Sequence, residues 1–342
     1  MQESELHKQI AARSRLQRAL TNAGHVETGP GDDCAVVRCG DTRLLLTVDH
    51  LIEGQHFTGP WRAHNFAASG TSVDLVARKA IARSVSDIAA MAGRPQWALA
   101  TAAFAPGTSQ NDADALCEGL FRWANVFGCP LVGGDVASFA AADPRSNRAA
   151  LPLVLTVTVG GVAHPVRGPV LRSGALPGDL VCVTGKLGDS LASGRHLSFT
   201  PRVEEAIVLA GVLGPRLHAM MDISDGLGRD GARLARASGV RLIIDVAGLP
   251  LHVPVDMHRR AAATWRELIA DGEDYELLMT VDPAAGADVV ALTAKLECGL
   301  TVIGRVVEAV PGTPDCVALW QGGEVPLDGL GWEHAAERTD SH

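Results

Sequence analysis

The sequence predicts an α/β protein of two domains, and three observations carry that expectation. At 342 residues with 47% hydrophobic side chains, the chain has more core material than a single domain usually organises. Apolar runs of strand character alternate with stretches of helical periodicity along its length. Prolines and glycines crowd together over residues 164 to 178, which places a boundary between a domain at 1–163 and another at 164–342.

The elements follow in order. The opening MQESELHKQIAARSRL has the pattern of an amphipathic helix and not that of a signal peptide. CAVVRC and TRLLLTVD are β-like and meet at a Cys-Gly-Asp turn, so a hairpin is expected. Residues 66 to 92 carry helical periodicity that stops at Gly93 and Pro95. QWALATAAF returns to strand, and SQNDADALCEGLFRWANVFG forms a second amphipathic helix closed by Gly128. CPLVGGDV is a short strand and LPLVLTVTVGGV a long buried one. Beyond the boundary come strand LVCVTG, helices near 188–195 and 202–213, strand AMMDI and helix LGRDGARLARAS. Strands VRLIIDV and YELLMTV enclose a helical stretch, and TVIGRVV with CVALWQGG forms a final strand pair before a polar tail.

The bulk properties exclude several classes of function. A net charge of −9 argues against a nucleic-acid or anionic-membrane surface. The longest apolar run, ALPLVLTVTVGGVA, is too short and too rich in glycine to span a bilayer. The seven cysteines form no CxxC and no zinc spacing, so reduced thiols in a soluble cytoplasmic protein are expected. Lysine occurs only at Lys8, Lys79, Lys186 and Lys295, so phosphate binding would fall to arginine, backbone N–H groups or metal ions.

The acids are the chemical signal. Asp32 and Asp33 stand behind a Gly-Pro-Gly turn and before an apolar run. The pattern repeats: Asp49 ends LLLTVD, Asp87 interrupts an Ala/Ile/Met-rich helix, Asp135 follows LVGG, and Asp222 and Asp225 flank the turn of MMDISDGL. Taken singly, Asp225 could be a helix N-cap and Asp32, Asp33 and Asp135 ordinary turn residues. Asp87 has no capping role at mid-helix. Unpaired charge beside apolar runs is costly, so the economical reading is convergence on a shared cation. Magnesium suits such hard oxygen donors, and phosphoryl transfer is the chemistry that needs several of them.

Two phosphate motifs can be weighed against this. GLGRDG, residues 226 to 231, matches G-x-G-x-x-G after a strand, with Asp245 ending the next strand where a ribose-binding acid would stand. Asp222 and Asp225, however, would repel a pyrophosphate there. No Walker A motif occurs, which excludes a P-loop kinase.

With these residues in hand, the chain resembles the thiamine-monophosphate kinase family, of the superfamily that includes aminoimidazole ribonucleotide synthetase and selenophosphate synthetase. GPGDDCAVV, TVDHLIEGQHF, KAIARSVSDIAAMAGRP, LVGGDV, RSGALPGDLVCVTGKLGDS, MDISDGLGRDGARLARASG, DGEDYELL and GWEH look like family segments in family order. The resemblance implies mixed α+β sheets in a two-domain fold like that of aminoimidazole ribonucleotide synthetase, with N-terminal domains paired in a homodimer. It implies ATP as co-substrate, several Mg²⁺ ions, and conversion of thiamine monophosphate to thiamine diphosphate. By the same resemblance, metal positions fall on Asp33, Thr47, Asp49, Asp87, Asp135, Asp222 and Asp225, of which Asp87, Asp135 and Asp222 count as catalytic. Nucleotide contacts fall on Gly134, Asp135, Arg172 and Ser224, and contacts to thiamine monophosphate on His56, Glu273 and Trp332. From the residues alone, His56 reads as structural.

The chain also departs from the family pattern. Val48 and Val136 stand where Thr is usual, Ser84 stands where Asn is usual, and residues are inserted between GQHF and the Asp87 helix. A superfamily enzyme acting on another small phosphate, or a nucleotide-binding paralogue without turnover, would share most of these features.

Overall fold

In the computed structural model, which describes residues 3–21, 24–58, 70–139, 151–252 and 264–332, the strands divide into two mixed sheets. The first uses β1 (Val26–Thr28), β2 (Ala35–Cys39), β3 (Thr42–Ile52), β4 (Gly93–Phe104), β5 (Leu131–Ser138) and β6 (Val154–Ala163), ordered β1-β2-β3-β6-β4-β5. Only β4 and β5 run parallel. The expected hairpin is β2–β3, closed over Gly40 in the left-handed region. Burial alternates along β3: Leu45, Thr47 and Leu51 point inward, while Val48 and His50 lie on the opposite face.

Helix α1 spans Glu3–Thr21, α2 Val73–Ala90 and α3 Gln110–Val126. The stretch expected to be helical from residue 66 enters the described structure at residue 70, and α2 starts at Val73 because Ser72 caps it, its Oγ accepting from Leu75 N at 3.2 Å. Apolar and small residues surround α2 on nearly every side, as befits a buried helix. It packs on β3, β6 and α3 and also reaches into the second half of the chain.

The second sheet contains β7 (Leu180–Thr184), β8 (Leu217–Asp222), β9 (Val240–Asp245), β10 (Leu277–Val281), β11 (Leu300–Glu308), β12 (Cys316–Trp320) and β13 (Gly323–Pro326), in the order β13-β12-β9-β11-β7-β10-β8. Helices α4 (Val203–Leu213), α5 (Leu227–Ser238), α6 (Thr264–Ala270) and α7 (Gly286–Lys295) pack around it. α2 touches both α4 and β8, so one helix is shared by the two halves.

Three expectations change. TVIGRVV and CVALWQGG do not pair with each other: β11 lies between β7 and β9, and β12 pairs with β9 and β13. Residues 188–194 form turns, followed by a single 3₁₀ turn at Arg195–Leu197; Ser190 Oγ is drawn instead to the Glu273 carbonyl across the chain, and Ser193 Oγ bonds locally to the Asp189 carbonyl. Helix α7 was not expected. The helical stretch foreseen between β9 and β10 is α6, with residues 253–263 outside the described structure, as are residues 333–342 of the polar tail.

Candidate active site

Asp33, Asp87 and Asp222 arrive from three places: the turn before β2, the last turns of α2, and the end of β8. Each contributes a carboxylate oxygen to a group whose oxygens all lie within 4.8 Å of one another. Neighbours aim them. Thr47 Oγ1, on the inner face of β3, donates to Asp87 Oδ2. Ser86 Oγ donates to Asp222 Oδ2 at 2.6 Å, and Arg172 Nη2 to Asp33 Oδ1 at 2.5 Å. Asp33 Oδ2 is buried and has no hydrogen-bond partner among the described residues.

Desolvation first, then mutual repulsion, raises the pKa of Asp87 and of Asp222 well above the usual carboxylate range. Desolvation, with the Asp33 charge beside it, raises half-buried Asp32 to about 6. Two of its oxygens accept from Arg172 N and Asp33 N. Carboxylates crowded this closely, one with an orphaned buried oxygen, fit a hard divalent cation such as Mg²⁺. Among the described residues no mixed His/Cys group competes for a softer metal.

Not every predicted acid joins this set. Asp49, inward on β3, accepts from Ser84 Oγ at 2.9 Å and extends the acidic surface toward α2. Asp225 instead pairs with Arg233 at 2.6 Å. It does not cap α5 either; that position belongs to Gly226, at φ 100°. Asp135 departs furthest from the expected convergence. It sits exposed on edge strand β5 in the row His50–Thr156–Thr101–Asp135, on the opposite face of the sheet from Asp49. Gly134 beside it lies so close to β4 that a Cβ would come within 1.9 Å of the Ala100 carbonyl. Arg172 is engaged with Asp32 and Asp33.

The three residues expected to contact substrate line one cleft together with Ser224, Tyr275 and Arg83. His56 Nδ1 accepts from Ile52 N at 2.9 Å, which assigns the ring proton to Nε2. Trp332 is 46% exposed at the rim, and its backbone N–H donates to the Asp225 carbonyl at 2.9 Å. Glu273 and Tyr275 adopt left-handed backbone at φ 55° and 52°, a strain of about 1–3 kcal/mol apiece. Bonds from Glu273 N to Ser224 O and from Tyr275 N to Ile223 O hold that turn, as does Phe199 stacked on Tyr275 at 3.9 Å between ring centroids.

Lys79 is the site residue that motif reading missed. It is fully buried in α2, and its Nζ donates to Glu273 Oε2 at 2.7 Å and to the His56 carbonyl at 2.6 Å, with His196 Nδ1 2.8 Å away. Burial lowers its pKa to about 8 despite Glu273. Glu273, which burial would raise, is held down to about 2 by His196 and Lys79. A signal was available, since a lysine inside an Ala/Ile helix in a lysine-poor chain needs a buried partner.

The GLGRDG stretch resolves as packing. Asp230 Oδ2 accepts from Ser224 N and Asp225 N, occupying with a carboxylate the donors that a dinucleotide phosphate would need. Gly228 and Gly231 let α5 close onto the Leu327 carbonyl and onto Cys316.

Comparison with known proteins agrees with the geometry. The profile of the AIR synthase related protein N-terminal domain matches residues 31–163, and that of the corresponding C-terminal domain matches residues 186–314. A thiamine-monophosphate kinase of Salmonella typhimurium is 30% identical, over 94% of this chain and 96% of its own length. One from Mycobacterium tuberculosis is 32% identical over 88% and 85%. The solved structure of AaThiL complexed with AMPPCP and TMP superposes with a TM-score of 0.70 at 27% identity, covering 94% of this chain and 96% of that one. Two mixed sheets, a convergent acidic cluster and end-to-end similarity lead to one conclusion: the chain belongs to the AIR synthase related proteins and, among them, to the thiamine-monophosphate kinase family.

Proposed function

We propose that the protein transfers the γ-phosphoryl group of ATP to the phosphate of thiamine monophosphate, giving thiamine diphosphate, by direct in-line attack with no phosphoenzyme. The observation that carries this reading is the meeting of two sites. The cleft lined by His56, Glu273 and Trp332 adjoins the Asp33, Asp87 and Asp222 cluster through Arg83 and Asp49.

In this reading Asp33, Asp87 and Asp222, with Thr47, Asp49 and Asp225 around them, hold magnesium. Bound Mg²⁺ neutralises the charge of the donor and acceptor phosphates as they approach. Ser224 and Arg172 serve the nucleotide. The half-exposed ring of Trp332 stacks on the cationic heterocycle of thiamine, and Glu273 faces its charge.

The acceptor oxygen is already largely ionised near neutral pH and needs no general base. His56 agrees with that, since its Nδ1 is committed to backbone. No protein nucleophile is called for either: burial raises the thiols of Cys129 and Cys182 to about 12.

We place Gly134 and Asp135 beside a homodimer interface made by the outer face of the first sheet. Val48 on β3 and Leu99 on β4, in one outward row on either side of Thr158 of β6, are 60% and 37% exposed there. Light scattering should return twice the chain mass, and Val48→Asp combined with Leu99→Asp should return the single mass. An unchanged mass for that variant removes this interface.

The function is tested by incubating the full chain with ATP, MgCl₂ and thiamine monophosphate and following ADP and thiamine diphosphate, with other small phosphate monoesters in parallel. Turnover of another monoester only would assign a different superfamily reaction, and nucleotide binding without product would leave a binding protein. Trp332→Ala should raise KM for thiamine monophosphate about tenfold, from lost stacking on a cation, with KM for ATP within about twofold of the parent. An equal rise in both would remove Trp332 from the acceptor site.

A further inference from the structure

Arg83 lies within the KAIARSVSDIAAMAGRP segment, yet neither the resemblance nor the machinery above gives it a role. On α2 it stands midway between Lys79 and Asp87, four residues from each, so the three side chains follow one face of the helix. That face runs from the base of the thiamine cleft to the acidic cluster. Arg83 lines the cleft, and only 16% of its side chain is exposed.

Its donors are only partly used. Nη1 donates to the His50 carbonyl at 2.6 Å, and Nη2 is 3.8 Å from Asp49 Oδ1, too long for a hydrogen bond. Nε is buried with no hydrogen-bond partner among the described residues. Burial would lower its pKa, but the acidic groups around it, Tyr275, Asp49, Glu273 and Asp87, raise it, so the guanidinium keeps its charge.

A buried cation with a spare N–H edge, on a cleft whose other charged lining residues are the carboxylates Asp225, Asp271 and Glu273, matches one part of the acceptor. With the heterocycle at Trp332 and the reaction at Asp87, the acceptor's phosphate must lie between them, which is where Arg83 stands. We propose that Arg83 binds the phosphate of the acceptor through its planar fork and thereby selects a phosphate monoester over the corresponding alcohol. This rests on the reading of the cleft as the thiamine monophosphate site. A point charge such as lysine would neutralise the phosphate but could not grip two of its oxygens.

The test uses Arg83→Gln and Arg83→Lys in the full chain. Calorimetry measures binding of thiamine monophosphate and of thiamine without nucleotide, and steady-state kinetics measures KM for thiamine monophosphate and for ATP. Arg83→Gln should weaken thiamine monophosphate about 10- to 100-fold, the range lost with charge-assisted hydrogen bonds, and leave thiamine within about twofold. KM for the acceptor should rise accordingly and that for ATP stay near the parent value. Arg83→Lys, which retains the positive charge beside Asp49, should fall between.

A purely structural Arg83 would weaken thiamine monophosphate and thiamine alike, so an unchanged ratio of the two affinities in either variant overturns the proposal. If Arg83→Gln does not fold, the ratio in Arg83→Lys decides. If the parent neither binds nor phosphorylates thiamine monophosphate, the functional reading falls and the proposal falls with it. A parent that prefers thiamine monophosphate beside a variant with the same preference refutes the role of Arg83 alone.

Discussion

Asp87→Asn is expected to lower turnover by about a thousandfold or more without unfolding the protein, since removing charge from a metal-held transition state costs several kcal/mol. Asn keeps the shape, can still accept from Thr47, and sits within a helix that tolerates it. What it loses is the negative charge shared with Asp33 and Asp222.

Stability should move the other way when metal is chelated. The folded-state pKa of Asp87 is raised, so its favourable share is complete below the unfolded carboxylate pKa and is lost as pH rises through the folded value. In EDTA the parent should therefore lose thermal stability as pH climbs from about 4 toward neutrality, and Asp87→Asn should lose less. ADP production at several Mg²⁺ concentrations and melting in EDTA check both. Parental turnover by the variant at limiting Mg²⁺ would remove Asp87 from the metal site.

The second large effect is expected at Lys79. Lys79→Met should lower kcat/KM for thiamine monophosphate about a hundredfold and leave nucleotide affinity almost untouched, because charged hydrogen bonds to Glu273 are worth about 1.5–3 kcal/mol each. Glu273 holds a left-handed backbone at the cleft, and Lys79, with His196, restrains its carboxylate.

The single change also strands a buried charge, so a loss of melting temperature is expected. Lys79→Met with Glu273→Gln, which leaves no unpaired carboxylate, should recover melting and not activity. The pH dependence carries a signature. The folded pKa, about 8, lies below the unfolded value near 10.4, so the native state holds fewer protons between those limits and this group favours folding increasingly as pH rises. Function runs opposite: the ion pair weakens above pH 8, so KM for the acceptor should climb there in the parent and stay level in the variant. Parental kinetics in Lys79→Met would refute the positioning role.

Local pattern made much of the fold readable. The α3 helix closes before Gly128, α2 ends before Gly93, and the Gly40 turn joins β2 to β3, each as local punctuation marks it. What stayed hidden was non-local or weakly marked. The partners of β11 and β12 depend on contacts across the second sheet. α7 follows Ala285, which offers no side-chain cap, and buries only Val289 and Leu292, leaving little periodicity to detect.

At the site, the mid-helix acid Asp87 was legible because no local role could hold it there. Asp135 was not, since its neighbours cannot reveal that β5 turns it to the opposite face from Asp49. Val48 takes the outer face too, so its replacement of a Thr leaves the inward Thr47 on Asp87 undisturbed. Lys79 and Arg83 escaped because their partners, Glu273 and His50, lie on other elements.

One helix enclosed by both halves also makes a ruler. From Lys79 to Asp87 α2 rises about 12 Å, at about 1.5 Å per residue, and packing on β3, β6, β8 and α4 leaves it no room to slide. The span from the heterocycle's end of the cleft to the carboxylates is therefore measured in peptide units and not by a movable loop. Acceptors would be graded by length: a homologue with one methylene more between ring and phosphate should still enter, yet present its phosphate out of register. The same rigidity makes α2 intolerant of a single inserted residue, which would rotate every later side chain by about 100° and part Asp87 from Asp33 and Asp222.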